Sequence, residues 1–312
     1  MKVARFLHHL TRLNTPSALA IGNFDGMHLG HQAILRNIQH KAKEKGWISV
    51  VILFEPHPKE YFVPTLSPPR LMRLTDKLLF LAELGIDRVI CLKFDEIMAN
   101  LSATHFLEKI LISHLRVGYL SVGEDFRFGR QRQGDVQFLR KAAEVNGFEV
   151  VTQSNIVLKD SESRISSTQI RSYINQGKLA EARTLLGHSI SLAGRVIRCR
   201  QRGRDLGFPT ANIRLHQKMA YSGVYAVEVW IDGEKKAGVA NIGTRPTLNH
   251  PQGEARYLEA YIFDFYGDLY GKRIQVDLVE KLREETKFDS LEALKAQIAE
   301  DVIWAKKKLY PA

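Results

Sequence analysis

A change of period along the chain constrains its fold more than any other feature. In the first half, short apolar runs alternate with helix-length patterns: SALAI, then HQAILRNIQHKAKEKG with Ile34, Leu35, Ile38 and Ala42 on one face, then WISVVILF. The series continues through TDKLLFLAELG, with Thr75 placed to cap a helix and Gly85 to stop it. IDRVICLKF, SATHFLEKILISHL, RVGYLSVG, VQFLRKAAEVNG and FEVVTQS complete it. Strands apolar enough for burial on both faces, alternating with amphipathic helices, predict an α/β domain: a parallel sheet covered by helices. Ligands of such sheets sit beyond the carboxyl ends of the strands. After two short helical patterns in ISSTQIRSYINQGKLAEARTLLG, strands follow closely: SISLAGRVIRCR, GVYAVEVWIDGEKKAGVANIG with a turn at Asp232 and Gly233, YLEAYIFDF and RIQVDLVEKL. This second pattern predicts a small antiparallel β-barrel or sandwich. A final helix places Leu291, Leu294, Ile298, Val302 and Ala305 on one stripe. The expected domains are residues 1–187 and 188–312.

Composition sets outer bounds. A chain of 312 residues, 45% of them hydrophobic, exceeds the usual size of one domain. Its purely apolar runs fall far short of the roughly 20 residues that span a bilayer, and MKVARFLHHLTRL has neither a sustained apolar core nor a small-residue cleavage site. A soluble, cytoplasmic protein is expected. Cys91 and Cys199 are far apart in strand-like runs and read as free thiols, not as a disulfide framework or metal ligands. The net charge of +11 is spread along the chain, with 25 basic and 18 acidic residues up to Gly187 and 20 and 16 after it. Such a surface suits polyphosphates and nucleic acid alike.

The stretch GNFDGMHLGH narrows the chemistry. It follows a strand directly, so Gly22 and Gly26 let the backbone turn, Gly30 permits close approach of a ligand, and His28 and His31 fall on the first turn of a helix. Residues three apart share a helix face. Two imidazoles and the N-terminal N–H groups of that helix make a site for phosphate oxygens. Nucleotidyl transfer is chiefly positioning and charge stabilisation, and needs no nucleophilic cysteine and no metal cluster. Helix capping alone would not require Asn23, Asp25 and three glycines together.

Five further segments carry groups suited to chemistry. ISSTQIR offers three hydroxyls at a helix N-terminus with Arg171 one turn in, and reads either as N-capping by Ser167 or as a second phosphate cradle. GEDFRFG places Phe126 and Phe128 at alternate positions, for stacking on a flat heterocycle or for a core edge. FEPHP reads as an irregular strand end shaped by Pro56 and Pro58. In GFPTANI, a loop shaped by glycine and proline leads to Thr210 and Asn212, an alternate pair whose oxygens can reach one Mg2+. Glu259 stands in an otherwise apolar strand, as a general base or as a solvated residue on an outer barrel face.

Taken in order, GNFDGMHLGH, FEPHP, GEDFRFG and ISSTQIR, then GFPTANI, NIGTRPTL, DLYGKRI and LREETKF, resemble the bifunctional riboflavin kinase/FMN adenylyltransferase family of bacteria, the prokaryotic FAD synthetases. The resemblance spans nearly the whole chain. It implies that the C-terminal barrel converts riboflavin and ATP to FMN, and that the N-terminal Rossmann-like nucleotidyltransferase domain converts FMN and ATP to FAD and pyrophosphate. It implies catalytic His28 and His31, with ATP held by Gly22, Asn23, Phe24, Asp25, Gly26, His28, His31, Ser166, Ser167, Thr168 and Arg171. Pro56, His57, Pro58, Asp125, Phe126 and Phe128 then flank the flavin. In the barrel, Gly207, Phe208, Pro209, Thr210 and Asn212 take ATP, Thr210 and Asn212 bind Mg2+, and Glu259 activates the ribityl 5′-hydroxyl. Two departures stand out: Tyr261 where the family commonly has His, and Cys199 where it often has Gly. The partners implied are small molecules, without nucleic acid or membrane, for a monomer or weak oligomer.

A competing reading is an RNA-binding relative of the class I aminoacyl-tRNA synthetases, which share an HxGH turn. Those enzymes usually carry a lysine-rich KMSKS-like loop, and ISSTQIR stands in the comparable place. Arg198, Arg200, Arg202 and Arg204 alternate and would form a positive stripe if the strand ran that far, as a solvated edge, an aid to attracting ATP or an RNA contact.

Overall fold

The computed structural model describes residues 1–5, 11–153, 165–198, 207–215, 218–245 and 255–310. The chain divides into two compact units, one of residues 1–68 with 74–166 and one of residues 69–73 with 167–312.

The first unit is built on six parallel strands: β1 (Lys2–Arg5), β2 (Ser17–Ile21), β3 (Ile48–Glu55), β4 (Arg88–Lys93), β5 (Val117–Gly123) and β6 (Glu149–Gln153). Their order is β1-β4-β3-β2-β5-β6. β2 is buried at all five positions, as a central parallel strand requires. Edge strand β1 pairs with β4 from Lys2↔Arg88 onward. It is short, charged and mostly exposed, so no apolar run announced it. The helices are α1 (Leu29–Lys45), α2 (Pro58–Phe62), α3 (Leu74–Glu83), α4 (Glu96–Asn100), α5 (Ala103–His105) and α6 (Val136–Asn146). Because α3 begins at Leu74, Thr75 lies inside its first turn and does not cap it. SATHFLEKILISHL continues from α5 into a π-helix, Phe106–His114, where a helix of ordinary pitch was the simplest expectation. The wider turn suits its apolar spacing: Phe106, Ile110, Leu111 and Leu115 all turn inward. They meet Leu19, Ile52, Ile90 and Leu120 from the sheet in one core.

The second unit carries α7 (Ser167–Asn175), α8 (Leu179–Leu186), six strands and α9 (Leu291–Leu309). β7 (Ile190–Ile197), β8 (Thr210–Leu215), β9 (Gly223–Ile231), β10 (Glu234–Arg245), β11 (Ala255–Ile262) and β12 (Arg273–Arg283) close into a barrel of order β10-β11-β8-β7-β12-β9. Asp232 and Gly233, both at positive φ, make the two-residue turn between β9 and β10. The segment Pro69–Arg73 is stitched in by hydrogen bonds: Arg70 N–H donates to the Lys218 carbonyl at 2.8 Å, and the Tyr221 hydroxyl donates to the Leu71 carbonyl at 2.8 Å. Arg183 of α8 donates to the Val279 carbonyl of β12 at 3.0 Å. Helix α9 packs Ala305 and Val302 against Val224, Ala226, Val239 and Phe263 on the outside of the barrel. Leu291, expected on that stripe, is 63% exposed, because the buried face takes Asp301 and Ala305 near the other end of the helix.

No helix among the described residues is long and apolar enough to cross a membrane. β7 ends at Ile197, and the Arg198 guanidinium lies over the Tyr270 ring at 5.1 Å. Cys199, Arg200, Arg202 and Arg204 lie outside the described residues, as does the start of the glycine loop before Gly207.

Candidate active sites

Three of the sequence motifs leave the sheet of the first unit at one edge. β3, β2 and β5 are neighbours, and their carboxyl ends run into FEPHP, GNFDGMHLGH and GEDFRFG respectively. β2 is also where the strand order reverses, the usual place for a crevice in an open α/β sheet.

The turn after β2 is tightly wound. Phe24, Gly26 and Met27 all have positive φ, at 46°, 84° and 44°, and Phe24 and Met27 are buried. Gly26 is needed there because side chains rarely adopt that conformation. His28 caps α1: its Nδ1 accepts from the His31 N–H at 3.3 Å. The His28 and His31 rings stack with centroids 3.6 Å apart, and Phe24 meets His31 edge-on at 5.2 Å. A Cβ on Gly30 would come within 3.2 Å of the His28 ring, so this glycine makes room for an imidazole, where close approach of a ligand was the expectation. Asn23 Oδ1 is buried and has no hydrogen-bond partner among the described residues, the state of an acceptor set aside for a ligand. Beneath the turn, Lys77 of α3 donates to the Asn23 carbonyl at 2.8 Å and lies 3.9 Å from the Asp25 carboxylate.

The flavin candidates divide. His57 N-caps α2, accepting from the Lys59 N–H at 2.9 Å while its own N–H donates to Glu60 at 3.1 Å, and Pro58 opens the helix. FEPHP therefore has a structural task in addition to any contact with ligand. Phe126 and Phe128 stack on each other at 5.5 Å, so they do not stand as a pair of open faces. Phe128 is 7% exposed and joins the core through Phe106 and Phe138, leaving half-buried Phe126 as the outer ring. Asp125 is exposed. Tyr61, Phe62 and Phe94, which sequence reasoning passed over, form an aromatic group with ring centroids 5.2–5.6 Å apart. In ISSTQIR, α7 begins at Ser167, Ser166 precedes it, Thr168 is exposed, and Arg171 donates to the Pro69 carbonyl at 2.7 Å.

Register builds the second site. Asn212 pairs with Glu259, and Glu259 with Asn241, across β8, β11 and β10; Thr210 pairs with Tyr261 one step along. Directly opposite residues share a face, so Asn212, Glu259 and Asn241 form one polar row. Leu258 and Ala260 are fully buried on either side of Glu259, which places that row on the outer face. Glu259 is half-buried there. The Asn212 amide donates to the Thr210 carbonyl at 3.0 Å and to its hydroxyl at 3.2 Å, bringing the two side chains together. Thr210, Asn212 and Glu259 supply oxygen donors alone, the set a hard cation takes. Phe208 meets Tyr261 edge-on at 5.3 Å, next to half-buried Thr210. Pro209 and Gly207 beside them are exposed. Asn241, absent from the expected site, donates to Glu285 at 3.3 Å and keeps a buried Oδ1 without a partner among the described residues. Its alternation with Gly243 in NIGTRPTL was the available signal.

The two halves match separate family models: residues 10–169 that of FAD synthetase, residues 186–309 that of riboflavin kinase. Relatives described as bifunctional riboflavin kinase/FMN adenylyltransferase align over the full length. That of Escherichia coli K12 is 45% identical over 309 residues, 98% of this chain and 97% of the relative. The chain belongs to the bifunctional riboflavin kinase/FMN adenylyltransferase family. The family's Haemophilus influenzae member is 45% identical, covering 98% of each chain, and its Pseudomonas fluorescens member 43%, covering 100% of this chain and 99% of the relative. The crystal structure of a protein described as a macrolide-efflux protein from Streptococcus pneumoniae shares the fold, with a TM-score of 0.79, 28% identity and 100% coverage of both chains.

Proposed function

We propose that the chain makes FAD from riboflavin in two ATP-dependent steps, the kinase step in residues 188–312 and the adenylyl step in residues 1–187. Family membership supports both activities and gives the RNA-binding reading no support. In the kinase step, the Glu259 carboxylate takes the proton of the ribityl 5′-hydroxyl, whose oxygen attacks the γ-phosphorus of ATP as ADP leaves. Thr210 and Asn212 would hold Mg2+, and Gly207, Phe208 and Pro209 would line the nucleotide. When bound, the ion draws charge from the phosphates. The single observation that carries the kinase assignment is the Asn212–Glu259 pair in the barrel register.

In the adenylyl step, a phosphate oxygen of FMN attacks the α-phosphorus of ATP and pyrophosphate leaves. His28 and His31 donate hydrogen bonds to the phosphates, and the N-terminus of α1 faces the same charge. Gly22, Asn23, Phe24, Asp25 and Gly26 shape the nucleotide turn, and Ser166, Ser167, Thr168 and Arg171 supply further phosphate contacts. Pro56, His57, Pro58, Asp125 and Phe126 contact the flavin, with Phe128 backing Phe126. Convergence of three motifs at the carboxyl ends of β3, β2 and β5 supports this reading. The same reading places a monomer or weak oligomer in the cytoplasm, acting on small molecules without nucleic acid.

Chromatography of products from riboflavin, MgATP and the full chain tests it. His28→Ala should stop FAD formation while FMN accumulates. Glu259→Gln should lower riboflavin phosphorylation by about 10²–10⁴-fold, with added FMN still converted to FAD. Loss of FMN as well as FAD in His28→Ala, or failure of Glu259→Gln to convert added FMN to FAD, would refute separate sites.

A further inference from the structure

The turn that carries Asn23, Asp25 and His28 has three residues of positive φ within four, two of them bearing side chains. Such a backbone persists only where its surroundings fix it. Two groups outside the motif reach it: the buried Gln32 amide donates to the Met27 carbonyl at 2.9 Å, and the ammonium of Lys77 comes from α3. Its Nζ donates to the Asn23 carbonyl at 2.8 Å and stands 3.9 Å from Asp25 Oδ1. Lys77 is 7% exposed and Asp25 8%, so the pair is almost wholly removed from water. Lysine is rarely buried in this way, and a buried ion pair is commonly no more stable than an apolar pair of the same volume. A helix that needed only to pack here would be served by methionine or leucine, as Leu81 serves one turn later.

We infer that Lys77 is a positioning residue for adenylyl transfer: it holds the Asn23 carbonyl and the Asp25 carboxylate so that the turn presents Asn23 Oδ1 and the His28–His31 pair to ATP in one geometry. A single ammonium can satisfy a carbonyl and a carboxylate in different directions, because its three donors rotate about a flexible stem. Without it, the turn has other conformations of similar energy open to it, and ATP must select the competent one. Affinity for ATP then falls by the fraction of chains in that conformation. The effect belongs to the nucleotide, because Lys77 acts on the turn that follows β2, whereas FEPHP and GEDFRFG follow β3 and β5.

The inference rests on the assignment of ATP to this turn, and the experiment separates the two. Full-length Lys77→Met, Lys77→Arg and His28→Ala are assayed for FMN adenylylation with ATP and FMN varied in turn, with riboflavin phosphorylation and thermal melting measured on the same samples. Lys77→Met should raise KM for ATP and lower kcat/KM for ATP at least tenfold, with KM for FMN and the kinase rate within twofold of the parent. Lys77→Arg keeps the charge with a different donor geometry, and should raise KM for ATP two- to fivefold. A residue with only a structural role would lower the melting temperature or scale kcat, leaving KM for ATP unmoved, and that result overturns the inference. If Lys77→Met does not fold, the KM for ATP of Lys77→Arg decides, and a parent-like value counts against positioning. FAD formation at the parent rate in His28→Ala removes the site assignment itself; its loss beside parent-like Lys77→Met removes only the role given to Lys77.

Discussion

At the scale of single residues, the two sites differ in how their side chains are held. The His28 ring is confined on one side by His31, stacked at 3.6 Å, and on another by the bare Cα of Gly30. Gly30→Ala would bring a methyl group within 3.2 Å of that ring and push it by a few tenths of an ångström. If His28 acts on the phosphates as proposed, such a displacement is costly and FAD formation should fall on the order of tenfold, with FMN formation unchanged in the same assay. That Thr210, Asn212 and Glu259 could lie together was legible in the sequence, because strands have a period of two and polar residues stand out from apolar neighbours, and the register brings them onto one face. Lys77 was not, because nothing in TDKLLFLAELG distinguishes a lysine on the solvated face from one turned inward four residues before Leu81. Phe128 was ambiguous for a different reason: alternation with Phe126 is the same whether both rings face a ligand or one of them enters the core, and the structure buries Phe128.

At the scale of elements, the α/β alternation and the strand series were written in the hydrophobic pattern, since each strand and helix must bury one face. What the pattern did not carry was polar anchoring. Helix α9 is fastened to β12 by a buried two-point contact, Arg283 Nε to Asp301 Oδ1 at 2.8 Å and Nη2 to Oδ2 at 2.7 Å. Asp301 is one of the two buried residues of the helix, beside the stripe expected from the sequence. Asp301→Ala leaves a largely buried guanidinium without its partner and should cost about 3 kcal/mol, measurable as a lower denaturation midpoint. A second anchor sets a pH dependence. Asp135 caps α6, and the Phe138 N–H, with Arg127 beside it, holds its carboxyl below the ordinary value of 3.8. A lowered folded-state pKa contributes stability that is present above the unfolded value and lost as pH falls through the folded one. Melting curves taken from pH 5 down to about pH 3 should therefore decline more steeply for the parent than for Asp135→Asn, which keeps a capping oxygen but does not titrate in that range.

At the scale of the whole molecule, the two activities of the family match separate stretches of the chain, FAD synthetase over residues 10–169 and riboflavin kinase over residues 186–309. Neither set of proposed reacting groups borrows from the other: His28 and His31 belong to one unit, and Thr210, Asn212 and Glu259 to the other. Equal amounts of His28→Ala and Glu259→Gln, mixed with riboflavin and MgATP, should therefore yield FAD after a lag in which free FMN builds up. Failure of the mixture, with each variant active in its own remaining step, would mean that FMN must pass within one chain. The closed barrel has a consequence for handling as well. GVYAVEVWI is rich in β-branched and aromatic residues, the kind of segment that seeds fibrils when its peptide groups lie open along a margin. Closure gives β9 a hydrogen-bonded neighbour on both sides, β10 and β12. Incoming chains then find no template along it while the native ring persists.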